Sequence, residues 1–192
     1  LGGLSHQESA RQGNLFGIAG MTLAIGATLL AFTPTSYGLV LGVMAIGGAA
    51  GSTLAARVEM TAMPQLVAIL HSFVGLAAVL VGFASFLEPA GHFSGAEKIV
   101  HDIEVFLGVL IGAVTFTGSV AAFGKLQGIL SSRPLTLPGR HLINLAIGIA
   151  CIWLGILFVG ADSLGAGIWP LLIMTGLAFI FGLHMVLAIG GA

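Results

Sequence analysis

Six apolar stretches of about twenty residues, separated by short polar or charged clusters, run the length of this 192-residue chain. The charges fall at Glu8 and Arg11; Arg57 and Glu59; Glu88, Glu97, Lys98, Asp102 and Glu104; Lys125, Arg133 and Arg140; and Asp162. The gaps between them predict helices over 14–32, 37–56, 64–87, 103–124, 141–160 and 168–190. A helix rises about 1.5 Å per residue, so each can cross a hydrocarbon layer roughly 30 Å thick. Thr33-Pro34-Thr35-Ser36 breaks the first helix from the second, because proline cannot continue a helix. Residues 1–13, 57–63 and 88–102 read as loops. The fold class is an all-α membrane protein, a single transmembrane domain over 1–192 built as a six-helix bundle.

The stretch from Pro64 to Leu87 contains no Asp, Glu, Lys or Arg. Its one ionisable group is His71, about 10 Å inside the membrane edge. An ionisable side chain at that depth is costly and points to function, unless it is an interior hydrogen bond across a helix contact. Ala68, His71, Gly75, Ala78 and Gly82 follow steps of three and four and share one side. Small residues let a second helix approach closely, so His71 is expected to face protein rather than lipid. By the same rule Gly47-Gly48-Ala49-Ala50-Gly51 reads as a close-packing patch. It lacks the lysine and spacing of a phosphate-binding loop, and no GxGxxG occurs.

Composition sharpens the membrane reading. Hydrophobic residues make up 57% of the chain and charged residues 7%, against about a quarter charged in soluble domains. Mean hydropathy is +1.12. The net charge of -1, with no basic run, excludes nucleic acid as a natural partner. A single cysteine, Cys151, excludes an internal disulfide and a cysteine metal cluster. Alternating connections put Arg11, Arg57, Lys125, Arg133 and Arg140 on one side and only Lys98 on the other. The positive-inside rule then places both termini on the cytoplasmic or matrix side. The chain starts at Leu1 and stops at Ala192 without a polar tail, which reads as part of a longer protein.

Polar groups inside the spans are few. Gly108, Gly112, Thr115 and Ser119 share a face of the fourth helix. Ser119 lies roughly 8 Å from the inner end, near the depth of His71. The two could meet or share a water, unless the hydroxyl bonds back to its own helix. Asn144 lies on a face with Gly148, Cys151 and Gly155, near the inner boundary, and His184 is a second buried-histidine candidate. Asp102 and Glu104 are expected to open the fourth helix, where acidic residues suit the dipole. Histidine is the side chain best suited to exchange protons near neutral pH, so the chemistry indicated is a proton relay through His71. His71, His141 and His184 stand alone on separate helices, a poor pattern for metal. A secondary transporter would need internal repeats and broken helices. Neither is evident, and a purely structural anchor is the other alternative.

The runs GNLFGIAGM (13–21), VEMTAMPQLVAILHSFVGLAAVLVGF (58–83), EVFLGVLIGAVTFTGSVAAFGKL (104–126), RPLTLPGRHLINL (133–145) and LLIMTGLAFIFGLHMVLAIGGA (171–192) resemble a known family. It is the β subunit of proton-translocating NAD(P) transhydrogenase, in its membrane domain, and the likeness covers nearly the whole chain. The resemblance implies an enzyme that passes hydride between NAD(H) and NADP(H) in soluble domains and couples this to proton passage. It implies an α subunit, an NADP(H)-binding domain, a dimer of protomers and surrounding lipid as partners. The bacterial plasma membrane or mitochondrial inner membrane is the implied location. The family's membrane histidine in LHSF falls on His71 and its serine in TFTGS on Ser119. The loop around Arg57 and Glu59 and the basic loop 125–140 would face the NADP(H)-binding domain. Family members continue past GGA with an Asp, a helix bearing a functional Asn, and the NADP(H) domain. The resemblance thus implies no nucleotide site in this stretch.

Overall fold

The computed structural model describes residues 9–31, 37–88, 94–135 and 137–190. These form α1 (Ala10–Ala31), α2 (Tyr37–Arg57), α3 (Met63–Leu87), α4 (Ala96–Leu126), α5 (Arg140–Val159) and α6 (Leu164–Leu187). A single 3-10 turn, Met60–Ala62, leads into α3. The described residues contain no strand. All six helices are long and apolar enough to cross a membrane, as their uncharged lengths predict. The expected break at 33–36 lies outside the described residues.

The fourth helix is longer than its sequence suggests. Residues 96–102 were expected as loop because they hold Glu97, Lys98 and Asp102. They are helical instead, and Lys98 Nζ donates to Asp102 Oδ2 one turn on at 2.6 Å. Charges at that spacing support a helix rather than break it. Asp102 and Glu104 therefore lie inside α4 and do not cap it. Lys98 also donates to the Ala161 carbonyl at 3.3 Å, tying α4 to the α5–α6 turn.

By internal contacts the chain divides into two units, Leu1–Arg57 and Val58–Ala192. In the first unit α2 buries no residue. Gly47, Gly48 and Gly51 have open space where a Cβ would stand, so their expected close packing is not realised within the described residues. Thr22, Thr28 and Thr53 donate to the carbonyls of Ile18, Ala24 and Ala49. Hydroxyls bonded back to their own helix are satisfied without leaving apolar surroundings.

In the second unit α4 is the central helix, with α3 packed on one side and α6 on another. The core gathers Val79, Val105, Phe106, Val109, Ala113, Cys151, Leu154, Phe158, Leu171, Met174 and Ala178. Phe158 is its pivot, with the Phe86 and Phe106 rings tilted against it at 5.2 and 5.6 Å between ring centres. Contacts along α4 set the register. On the α3 side Gly82 meets Val109, Gly75 meets Gly112 and Phe116, and Gln65 Nε2 donates to the Leu126 carbonyl at 3.1 Å. The two helices run antiparallel. On the α6 side Thr117 Oγ1 donates to the Phe179 carbonyl at 2.8 Å and Gly118 meets Gly182 and Val186, so those two run parallel.

Candidate functional site

The α3–α4 seam is built from glycine, as the spacing predicts, but its line is turned from the expected one. A Cβ on Gly75 would stand 2.6 Å from the Phe116 nitrogen and 2.7 Å from the Gly112 oxygen. The backbones can touch there only because neither residue has a side chain. The buried face of α3 runs through Ser72, Gly75, Val79 and Gly82. Ser72 is 1% exposed, and its hydroxyl donates to the Ile69 carbonyl at 2.6 Å. His71 precedes it by about 100° around the helix. The imidazole therefore sits at the rim of the seam and is exposed. This corrects the expectation that His71 lies inside a helix contact. A glycine ladder at steps of three and four fits two adjacent lines about equally well, and packing chose the one through Ser72.

Ser119 is half-buried on α4. The antiparallel register of the seam sets it level with His71. Neither side chain has a hydrogen-bond partner among the described residues.

A closer polar contact lies between α5 and α6. His184 Nδ1 is 2.9 Å from Asn144 Oδ1, and Asn144 Nδ2 donates to Met185 Sδ at 3.4 Å. An amide oxygen can only accept, so the proton of a neutral His184 sits on Nδ1. Nε2 is then a lone-pair acceptor. It is buried and has no hydrogen-bond partner among the described residues. Asn144 thus holds a histidine as well as lying near a helix end. The parallel register of α4 and α6 brings His184 to about the level of Gly118 and Ser119. His71, Ser119 and the His184–Asn144 pair consequently occupy one layer of the second unit.

Lys125 was expected in a basic surface loop. It lies in the last turn of α4 and is 4% exposed. Its ammonium donates to the carbonyls of Val186, Leu187 and Ile189, the first at 2.9 Å. The last carbonyls of a helix have no partner within it and carry the negative end of its dipole, so a cation satisfies both. The amide of Leu135 donates to the same Leu187 oxygen at 2.9 Å. Sequence reasoning missed this clamp because its acceptors are backbone atoms, which leave no residue-type signal. It missed Thr117, the α4–α6 tie, for the same reason. Arg57 closes α2 and is exposed; Glu59 is exposed and precedes the 3-10 turn, whose Ala62 amide donates to its carbonyl.

The sequence model of the family described as NAD(P) transhydrogenase beta subunit matches residues 1–192. The chain belongs to that family. Two curated relatives, both described as NAD(P) transhydrogenase subunit beta, come from Rhodospirillum rubrum, one of them from a named strain. Each is 44% identical over 195 residues, covering 100% of this chain and 41% of the relative. The chain therefore spans about two fifths of the length of the transhydrogenase β subunits it matches. Among the described residues no cluster of His, Cys, Asp or Glu could hold a metal. No GxGxxG occurs in the sequence, and the described residues form no strand.

Proposed function

We propose that residues 1–192 are the proton-translocating membrane domain of an NAD(P) transhydrogenase. In the complete enzyme hydride would pass between NAD(H) and NADP(H) in soluble domains outside this stretch, coupled to proton passage through these helices. The observation that carries the reading is the family match along all 192 residues, in a chain whose six helices are each long enough to span. Its partners would be the α subunit, the NADP(H)-binding domain, a second protomer and membrane lipid. The five-to-one distribution of basic residues supports both termini on the cytoplasmic or matrix side.

His71 is the group we assign to carry the proton, with Ser119 at its level as polar partner. An ionisable side chain in a spanning helix is costly unless it serves a pathway or finds partners. The exposed rim position leaves the ring open to a helix or water file supplied by the rest of the enzyme. Arg57, at the end of α2, and Glu59, between α2 and α3, would face the NADP(H)-binding domain. The test is His71→Ala in the complete enzyme reconstituted into vesicles. Proton-coupled turnover is expected to vanish while nucleotide binding survives. Undiminished pumping in that variant would exclude the assignment.

A further inference from the structure

We infer that His184, oriented by Asn144, is a second proton-accepting residue of the membrane domain, in the same layer as His71. The inference rests on the proton-path reading above and adds a residue to it.

Three observations carry it. First, the tautomer is set: Asn144 Oδ1 can accept only from Nδ1–H. The other amide arm is engaged with Met185 Sδ, which fixes the amide in that orientation. Second, Nε2 is buried and without a partner among the described residues. A buried acceptor left unpaired is costly, and a histidine that served only as an interhelical tie would not need to expose that lone pair to the interior. Third, the register of α4 against α3 and α6 sets His184 level with Ser119 and His71. The proton step is simple. Nε2 takes a proton to give an imidazolium, Nδ1–H stays on Asn144, and the same Nε2 proton leaves again.

Few charged groups surround the ring. α6 has no other ionisable side chain. From α4 the charged group at this end is Lys125, whose ammonium lies on the carbonyls just beyond His184. From α5 the groups at this end are Arg140 and His141. The acids of α4 (Glu97, Asp102 and Glu104) are at its opposite end, and α5 has none. Among the described residues of α4, α5 and α6, the charged side chains at this end are thus cations.

The experiment uses the complete enzyme, with its partner subunits, in lipid vesicles, and reads proton uptake with an internal pH dye across a range of pH. His184→Gln removes the titrating nitrogen and is expected to slow uptake about 100-fold. Asn144→Asp puts a carboxylate on Nδ1–H, which stabilises the imidazolium, and should move the pH profile of uptake to the alkaline side by about one unit. A merely structural tie would not move that profile. An unmoved profile with Asn144→Asp, or undiminished uptake with His184→Gln, overturns the inference. His71→Ala runs alongside. If it stops uptake while His184→Gln does not, only the role of His184 falls. If neither slows uptake, the proton-path reading falls with it.

Discussion

Lys125 brings a full charge into a place where water scarcely reaches, and it survives there because helix ends are polar. Three carbonyls at the end of α6, those of Val186, Leu187 and Ile189, accept from it. Lys125→Met would keep the stem and remove the donors: the Val186 and Leu187 oxygens keep a backbone amide, and the Ile189 oxygen loses its partner among the described residues, at about 1–3 kcal/mol. Hydrogen exchange of the backbone over 184–190 is expected to rise in that variant, with the α3–α4 seam unchanged. Equal protection in both proteins would show that the clamp holds nothing. His71 and His184 make the opposite contrast. Both are lone histidines in apolar helices, yet one ring lies at a rim and the other is held by an amide. Their chemistry could be read from residue type and depth. The partner of His184 could not, because Asn144 lies on another helix, 40 residues away, and no sequence spacing announces it.

Between helices, glycine decides how closely backbones meet. At Gly75 and Gly112 each would-be Cβ falls within 2.7 Å of the other helix's backbone, well inside van der Waals contact. Gly75→Ala must therefore push α3 from α4. Overpacking of this kind costs about 1–3 kcal/mol, and the thermal midpoint of the protein in detergent should fall accordingly. The same substitution at Gly108, where nothing lies within 4 Å, should leave the midpoint in place or raise it, since alanine favours helix by about 1 kcal/mol over glycine. A like response at both positions would refute the seam. The stepwise pattern of small residues was visible beforehand, but not which of two adjacent lines would be buried. Each line offers glycines, and the choice rests on the shape of the facing helix.

For the molecule as a membrane protein, the distribution of arginine and lysine makes a sidedness prediction that is independent of packing. Cys151 is the sole cysteine of these 192 residues, and its replacement by Ala, together with any cysteines in the rest of the enzyme, leaves a clean background. In that background a cysteine at Glu59 should react with an impermeant maleimide only from the cytoplasmic or matrix side. One at Glu97 should react only from the other. Reversed labelling would invert the topology, and labelling of both from one side would mean a miscounted span.

Hydropathy alone determined six helices long and apolar enough to span a membrane, because a helix satisfies its backbone within its own segment. The long likeness in residue order determined the family. Tertiary structure decided the extension of α4 through charged residues, the burial of Ser72 beside an exposed His71, the Lys125 clamp and the union of Asn144 with His184. Helix formation is local and leaves a periodic trace in the sequence. The rotation of one helix against another is set by atoms far apart in the chain, and no local pattern records it.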